Sequence, residues 1–221
     1  MNNRHKTSQY GQDDVIQEIV KSDKPGTFIE IGAYDGYSLS NTYYLEKIKN
    51  WKGILVEPIP DRYNECKKNR WNTVLESCIN DYTGYCDFTW VKGYSEMLSG
   101  ITDKFESSYF NRLNNEVKQH SQVIEKIKCP CITINDLMDK YNMKHVDLIS
   151  ISVSSAEYSM LKSFDCLNNS VKVWVINTNN INSKEIHSWF SSNGYEKYWK
   201  HTYADVYIYV HPGLKFSWEC V

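Results

Sequence analysis

Apolar residues fall along this chain in short runs separated by stretches of helical length, and that rhythm predicts the elements. Thr27–Ile31 (TFIEI) follows the turn-forming Lys24-Pro25-Gly26 and reads as a buried strand. Residues 39–49 carry apolar positions at helical spacing. Gly53–Glu57 (GILVE) reads as a second strand that ends in an acid. Pro58-Ile59-Pro60-Asp61 then opens a helix through Asn69, because Pro and Asp suit a first turn. Thr73–Ile79 (TVLESCI) predicts a third strand. Residues 85–91 (YCDFTWV) alternate and are rich in β-formers, a further strand. Val146–Ile151 is the fourth core strand, with a helix behind it through Phe164. Val171–Ile176 is the fifth, followed by a helix over 182–193 and a hairpin of 195–200 with 203–210.

Residues 93–127 break the rhythm. Ile101, Phe105, Tyr109, Leu113 and Val117 recur every four residues and predict an amphipathic helix in a segment long enough to be a lid. Cys131–Tyr141 leads into another helix around Leu137 and Met138. The alternation predicts a doubly wound, Rossmann-like α/β sheet with a closing antiparallel hairpin. It forms a single domain over 1–221 with a lid or insertion at 93–127.

Composition narrows the function. A chain of 221 residues, 41% hydrophobic, suits one such domain. The net charge of -2 leaves no basic field, so no nucleic-acid partner is expected. No apolar run approaches a membrane span, and the polar start MNNRHKTSQYGQDD has no signal-like apolar core. The seven cysteines include no CxxC pair, and Cys129-Pro130-Cys131 is too tightly spaced for zinc. Reduced, mostly buried thiols in a cytoplasmic protein are expected, with no metal site.

The candidate chemistry begins where TFIEI runs into Gly32-Ala33-Tyr34-Asp35-Gly36. Glycines there permit a tight strand-to-helix turn and close approach of a ligand to the backbone. Ligands in such sheets bind beyond the carboxyl ends of the strands, and Glu57 at the end of the second strand suits the two hydroxyls of a ribose. EIGAYDG is not the three-glycine pattern of a dinucleotide pyrophosphate site. The acids Glu30 and Asp35 repel pyrophosphate but suit the ammonium and sulfonium of S-adenosylmethionine (SAM).

Ser8–Asp13 (SQYGQD), FIEIGAYDGYSLSNTYYLE (28–46), WKGILVEPIPDRYNECKKNR (51–70), Ile132–Leu137, VDLISI (146–151), AEYSMLKSF (156–164) and Asp205–Tyr209 resemble the FkbM-type SAM-dependent methyltransferases. The resemblance leaves out 93–127 and the last ten residues. It implies a class I methyltransferase fold and O-methylation of a small hydroxylated acceptor, a sugar, glycan or other metabolite. By the same resemblance Glu30, Gly32, Ala33, Asp35 and Gly36 hold the methionine part of SAM. Ser40, Asn41 and Thr42 line the same loop, Glu57 with Pro58 takes the ribose, and the Ser77–Asp81 turn, with Cys78 and Asn80, flanks the adenine.

The acceptor end departs from the family pattern. After the fourth strand the family has Asp-x-Glu-Gly, and this chain has Ser152-Val153-Ser154-Ser155. After the fifth strand Asn177, in INTNN, stands where the family has Glu, while Glu157 is kept. Serine is no base on its own and holds metal weakly. Three readings stay open: an active enzyme that uses other groups such as Glu157, Asp103, Glu96 or a tyrosine; a degenerate methyltransferase that binds SAM or a glycan as a scaffold; and an interaction module that keeps the fold alone. An RNA methyltransferase would want a catalytic lysine and a basic groove, and neither is apparent. Trp90, Tyr94, Tyr109 and Phe110 read as core rather than as sugar-stacking rings. Lys67, Lys68 and Arg70 read as a solvated helix end.

Overall fold

The computed structural model describes residues 6–178 and 181–220. The first five residues of the polar N-terminal stretch, and Asn179 and Asn180 of INTNN, lie outside the described residues. The elements in chain order are α1 (Gln12–Val20), β1 (Thr27–Ile31), α2 (Tyr43–Lys47), β2 (Lys52–Val56), α3 (Pro60–Asn69), β3 (Thr73–Leu75), β4 (Cys78–Ile79), β5 (Gly84–Lys92) and β6 (Gly100–Ile101). There follow α4 (Ser107–Gln119), β7 (Val123–Ile132), α5 (Ile134–Lys140), β8 (His145–Ile151), α6 (Glu157–Ser163), β9 (Ser170–Asn177), α7 (Ser183–Ser192), β10 (Glu196–Lys200) and β11 (Val206–Val210).

The main sheet has seven strands in the order β10-β11-β9-β8-β1-β2-β3. All neighbours are parallel except the closing β10–β11 hairpin, which pairs antiparallel to β9. Its strands are buried on both faces, so apolar residues sort by parity. Ile29, Ile31, Ile54 and Val56 pack into one core, while Phe28 and Leu55 pack into the other against Ile16 and Val20 of α1. The chain runs outward from β1 to β3 and returns to β8 on the other side of β1. The crevice beyond the carboxyl ends of β1 and β8 is therefore the topological switch point, where doubly wound sheets bind ligands.

A second sheet, β4-β7-β5-β6, lies outside this pattern. The run TVLESCI, expected as one strand, breaks at Glu76-Ser77: β3 stays in the main sheet and β4 joins the second, parallel to β7. β7 was not foreseen. Its first half is mostly exposed, Glu125, Lys126 and Lys128 interrupt its apolar residues, and Pro130 sits within it, so it lacks the apolar alternation of a half-buried strand. The helix expected within 93–127 starts later than its four-residue repeat suggests. Ile101 belongs to β6, and only Tyr109, Leu113 and Val117 of the repeat lie on α4, packed around Val91, Leu98 and Ile181. α2 is also shorter than its periodicity, because Ser40, Asn41 and Thr42 are held out of the helix by Glu30. Among the described residues no helix is long and apolar enough to cross a membrane.

Candidate functional site

One cavity of about 360 Å³ opens at the switch point, lined from β1, β2, β4, β8, β9, α4 and the loops that follow the main-sheet strands. Gly32, Ala33, Ser40, Asn41, Glu57, Pro58 and Cys78 line it, and so do Ser152, Ser154 and Asn177. The two halves of the site read from the sequence thus share one cavity. Asp35, Gly36, Thr42, Asn80 and Glu157 do not line it.

The β1 turn is built for close approach. Gly32 sits at φ 77°, where a Cβ would lie 2.1 Å from the Ser152 carbonyl oxygen, so only glycine lets the ends of β1 and β8 come together. The Gly32 and Ala33 N–H groups both donate to the Val56 carbonyl, at 3.0 and 3.1 Å. Glu57 follows directly on β2. Its Oε2 accepts the Tyr34 N–H at 2.7 Å and its Oε1 the Ile59 N–H at 2.9 Å. Each oxygen keeps capacity for a further donor. Burial pushes this carboxyl up to about 7, against the lowering effect of those two N–H groups.

Glu30 has a different role from the one expected. Its carboxylate accepts from the Ser40 hydroxyl at 2.9 Å, the Asn41 N–H at 3.0 Å, the Thr42 hydroxyl at 2.6 Å and Arg70 Nη1 at 3.0 Å. So Glu30 is fully engaged and shapes the loop instead of presenting charge to a ligand. Asp35 likewise turns inward on its own loop, accepting from the Tyr37 and Ser38 N–H groups and the Ser38 hydroxyl. Arg70 is the residue that sequence reasoning misplaced. It is buried, not solvated, and it also reaches Glu46 at 3.0 Å, the Gly36 carbonyl at 3.1 Å and the Thr42 hydroxyl at 2.8 Å. Gly36 is required here for space, since a Cβ would lie 2.7 Å from Arg70 Cγ. The pairing of Glu30 with a basic residue 40 positions later is long-range and carries no local signal. Lys67 and Lys68 are exposed as expected.

Asn41 donates through Nδ2 to the Ser150 hydroxyl at 2.9 Å, and its Oδ1 is buried without a hydrogen-bond partner among the described residues. An orphaned acceptor on the wall of a cavity is one a ligand donor can satisfy. From the turn after β3, read from the sequence as flanking an adenine, Ser77, Cys78 and Ile79 line the wall. Asn80 lies beneath them, its N–H bonded to the Ile132 carbonyl.

At the acceptor end Ser154 is tied to the insertion: its Oγ accepts from Tyr109 Oη at 2.6 Å and donates to the Met97 carbonyl at 3.3 Å. Ser152 is exposed toward the cavity, and Ser155 sits behind it at φ 69° with a buried hydroxyl that has no partner among the described residues. Glu157 is buried at the start of α6, with Oε1 unpartnered, and burial pushes its carboxyl up to about 8. Of the other groups weighed from the sequence, Glu96 lines the cavity but is held by Arg62 and Trp90, and Asp103 is exposed outside it. Of the four aromatic residues weighed from the sequence, Tyr109 and Trp90 are buried, Tyr94 and Phe110 are exposed, and Tyr109 alone of the four lines the cavity. Among the described residues no group of three or more His, Cys, Asp or Glu side chains is arranged to hold a metal ion.

Residues 30–197 match the methyltransferase FkbM domain family. The chain belongs to the FkbM methyltransferase family. The match runs through 93–127, which the sequence resemblance had left out, and starts after Ser8–Asp13. Among solved structures, the fold is similar to methyltransferase FkbM from Methylobacillus flagellatus KT, at 12% identity and a TM-score of 0.50 over 85% of this chain. This FkbM-family chain spans 44% of that protein's length. It also resembles precorrin-6y C5,15-methyltransferase from Geobacter metallireducens, at 12% identity and TM-score 0.45, over 95% of this chain and 90% of that one. A third neighbour is a putative RNA methyltransferase from Pyrococcus horikoshii, at 10% identity and TM-score 0.44, over 92% and 86% of the two chains. No curated protein matches the chain. The family match and the M. flagellatus structure agree on a Rossmann-like methyltransferase fold.

Proposed function

We propose that this FkbM-family protein is a SAM-dependent O-methyltransferase acting on a small hydroxylated acceptor such as a sugar, a glycan or another metabolite. The observation that carries the reading is Glu57: a buried carboxylate on the cavity wall, oriented by two backbone N–H groups, with acceptor capacity left on both oxygens. That arrangement suits the paired hydroxyls of a ribose. Gly32 and Ala33 would hold the methionine part, with Asn41 Oδ1 as acceptor for its ammonium. Pro58, Cys78 and Ile79 would flank the adenine. Glu30 shapes this cradle from the cavity wall, and Asp35, Gly36, Thr42 and Asn80 support it from behind. Bound SAM supplies an electrophilic methyl group, and the cavity walls position an acceptor oxygen for in-line attack. Ser152, exposed toward the cavity, offers its hydroxyl to an acceptor rich in hydroxyls.

A second reading is a cavity that binds SAM without turnover. It is favoured by the same Ser152, Ser154 and Asn177, which bring no carboxylate to the acceptor end.

Calorimetric titration with SAM and S-adenosylhomocysteine tests the cofactor assignment. Binding by the native chain is expected, weakened roughly tenfold or more by Glu57→Ala as two charge-assisted hydrogen bonds are lost. Unchanged affinity in the variant would sink the ribose assignment.

A further inference from the structure

We infer that the oxygen methylated in this cavity belongs to a carboxylate, and that Arg112 on α4 recruits it. The inference rests on the SAM-dependent reading above and names its acceptor class.

The first ground is where the bases are. Three carboxylates line the cavity among the described residues. Glu30 is consumed by Arg70, Ser40 and Thr42. Glu96 is consumed by Arg62 and Trp90. Glu57 lies at the end of β2, on the nucleoside side. At the acceptor end stand Ser152, Ser154 and Asn177, and none of these side chains is a base at neutral pH. Tyr109 does not change that, since burial pushes its phenol up to about 12 and it donates its proton to Ser154. An alcohol acceptor must lose a proton as it is methylated, and this end of the cavity has no group to take it. A carboxylic acid arrives already ionised.

The second ground is Arg112. It is the only cation among the described residues that line the cavity. Its side chain is more than half exposed, which puts it at the mouth. It stands one helical turn from Tyr109, whose hydroxyl bonds Ser154, so α4 presents both residues on one face toward the acceptor end. Its Nε donates to Glu116 Oε1 at 3.0 Å, and Ser95 holds the other oxygen of Glu116 at 2.8 Å. That bond uses one of five N–H donors and leaves the guanidinium fork for an incoming anion.

The step balances without a base. A carboxylate oxygen donates a lone pair to the methyl carbon as the carbon–sulfur bond breaks. Sulfur keeps that bond's electron pair and becomes the neutral thioether of S-adenosylhomocysteine. The acceptor becomes a methyl ester, and no proton has to be placed.

The test titrates the protein loaded with S-adenosylhomocysteine with two pairs of probes: galacturonate against galactose, and benzoate against benzyl alcohol. At least one acid is expected to bind at least tenfold more tightly than its neutral partner. Arg112→Gln is expected to erase that preference and Arg112→Lys to keep part of it. With methyl-labelled SAM, the label transferred to that acid is expected to leave as methanol in mild alkali, which cleaves an ester and spares an ether. Equal binding within both pairs (including equal absence of binding), an acid preference untouched by Arg112→Gln, or an alkali-stable label would each overturn the inference. Failure to bind S-adenosylhomocysteine would overturn the cofactor reading instead.

Discussion

Ser155 occupies the left-handed backbone region at φ 69°, with a buried hydroxyl that finds no partner among the described residues. A side chain in that region costs about 1–2 kcal/mol, and glycine escapes the cost. The family pattern has glycine at this position. The turn after β8 therefore takes a backbone shape that glycine would adopt more easily than serine. Ser155→Gly is expected to stabilise the protein. The relieved strain and the removed hydroxyl oppose about 0.4–1 kcal/mol of extra unfolded-chain entropy, for a net gain of ~0.5–1 kcal/mol. A shift of the urea midpoint to higher concentration at constant slope would show it. A lower midpoint would mean that Ser155 is held by more than its backbone.

At the scale of elements, the β1 side of the cavity stands on Arg70 at the end of α3. This one side chain joins β1 through Glu30, α2 through Glu46 and the intervening loop through Gly36 and Thr42. Burial alone would raise the Glu46 carboxyl, but Arg70, the Trp71 N–H and the Asn72 amide together bring it below its ordinary value. Arg70→Met leaves the buried Glu30 without a cation and Glu46 with Lys47 alone, at 3.2 Å, and breaking such a buried pair costs about 3–5 kcal/mol. Urea unfolding is expected to show a loss of that order. SAM affinity is expected to fall with it, because Ser40 and Asn41 lose the anchor that fixes their loop. A variant as stable as the native chain would contradict the network. The second sheet works at the same scale. By taking Cys78 and Ile79 away from β3, it brings a wall across the Glu57 side of the cavity, while α4 brings Tyr109 and Arg112 across the Ser154 side.

For the molecule as a whole, two buried acids set a pH dependence. Glu57 and Glu157 have carboxyl groups raised from 4.5 to about 7 and about 8 by burial. Between those values and 4.5 the folded state holds protons that the unfolded state has released. Their contribution to stability is therefore fully present below about pH 4.5 and is lost as pH rises through about 7 and 8. Glu157→Gln removes the larger part, since no cation among the described residues pairs with Glu157. The variant is expected to be more stable than the native chain by about 2–4 kcal/mol at pH 8.5, with the advantage gone near pH 4.5. Thermal unfolding across that range checks it, and a pH-independent difference would mean that Glu157 is not buried as a protonated acid.

The sequence by itself determined the main sheet and the outline of the site. The double-sided burial of TFIEI, GILVE and VDLISI leaves few alternatives to parallel core strands, and the glycine turn with Glu57 follows from chain order alone. The same reasoning brought Ser152, Ser154 and Asn177 to the acceptor end, because strand ends in such a sheet share one edge. Only the tertiary structure decided what these groups touch. Glu30 and Arg70 pair across 40 positions, and nothing in local spacing tells a buried arginine from the solvated lysines beside it. β7 is a strand because β5 lies alongside it from Gly84 to Lys92; its own pattern, broken by Glu125, Lys126, Lys128 and Pro130, does not declare it. Arg112 reaches the cavity because α4 packs its apolar stripe against Val91 and Leu98, a contact made between segments that periodicity describes one at a time.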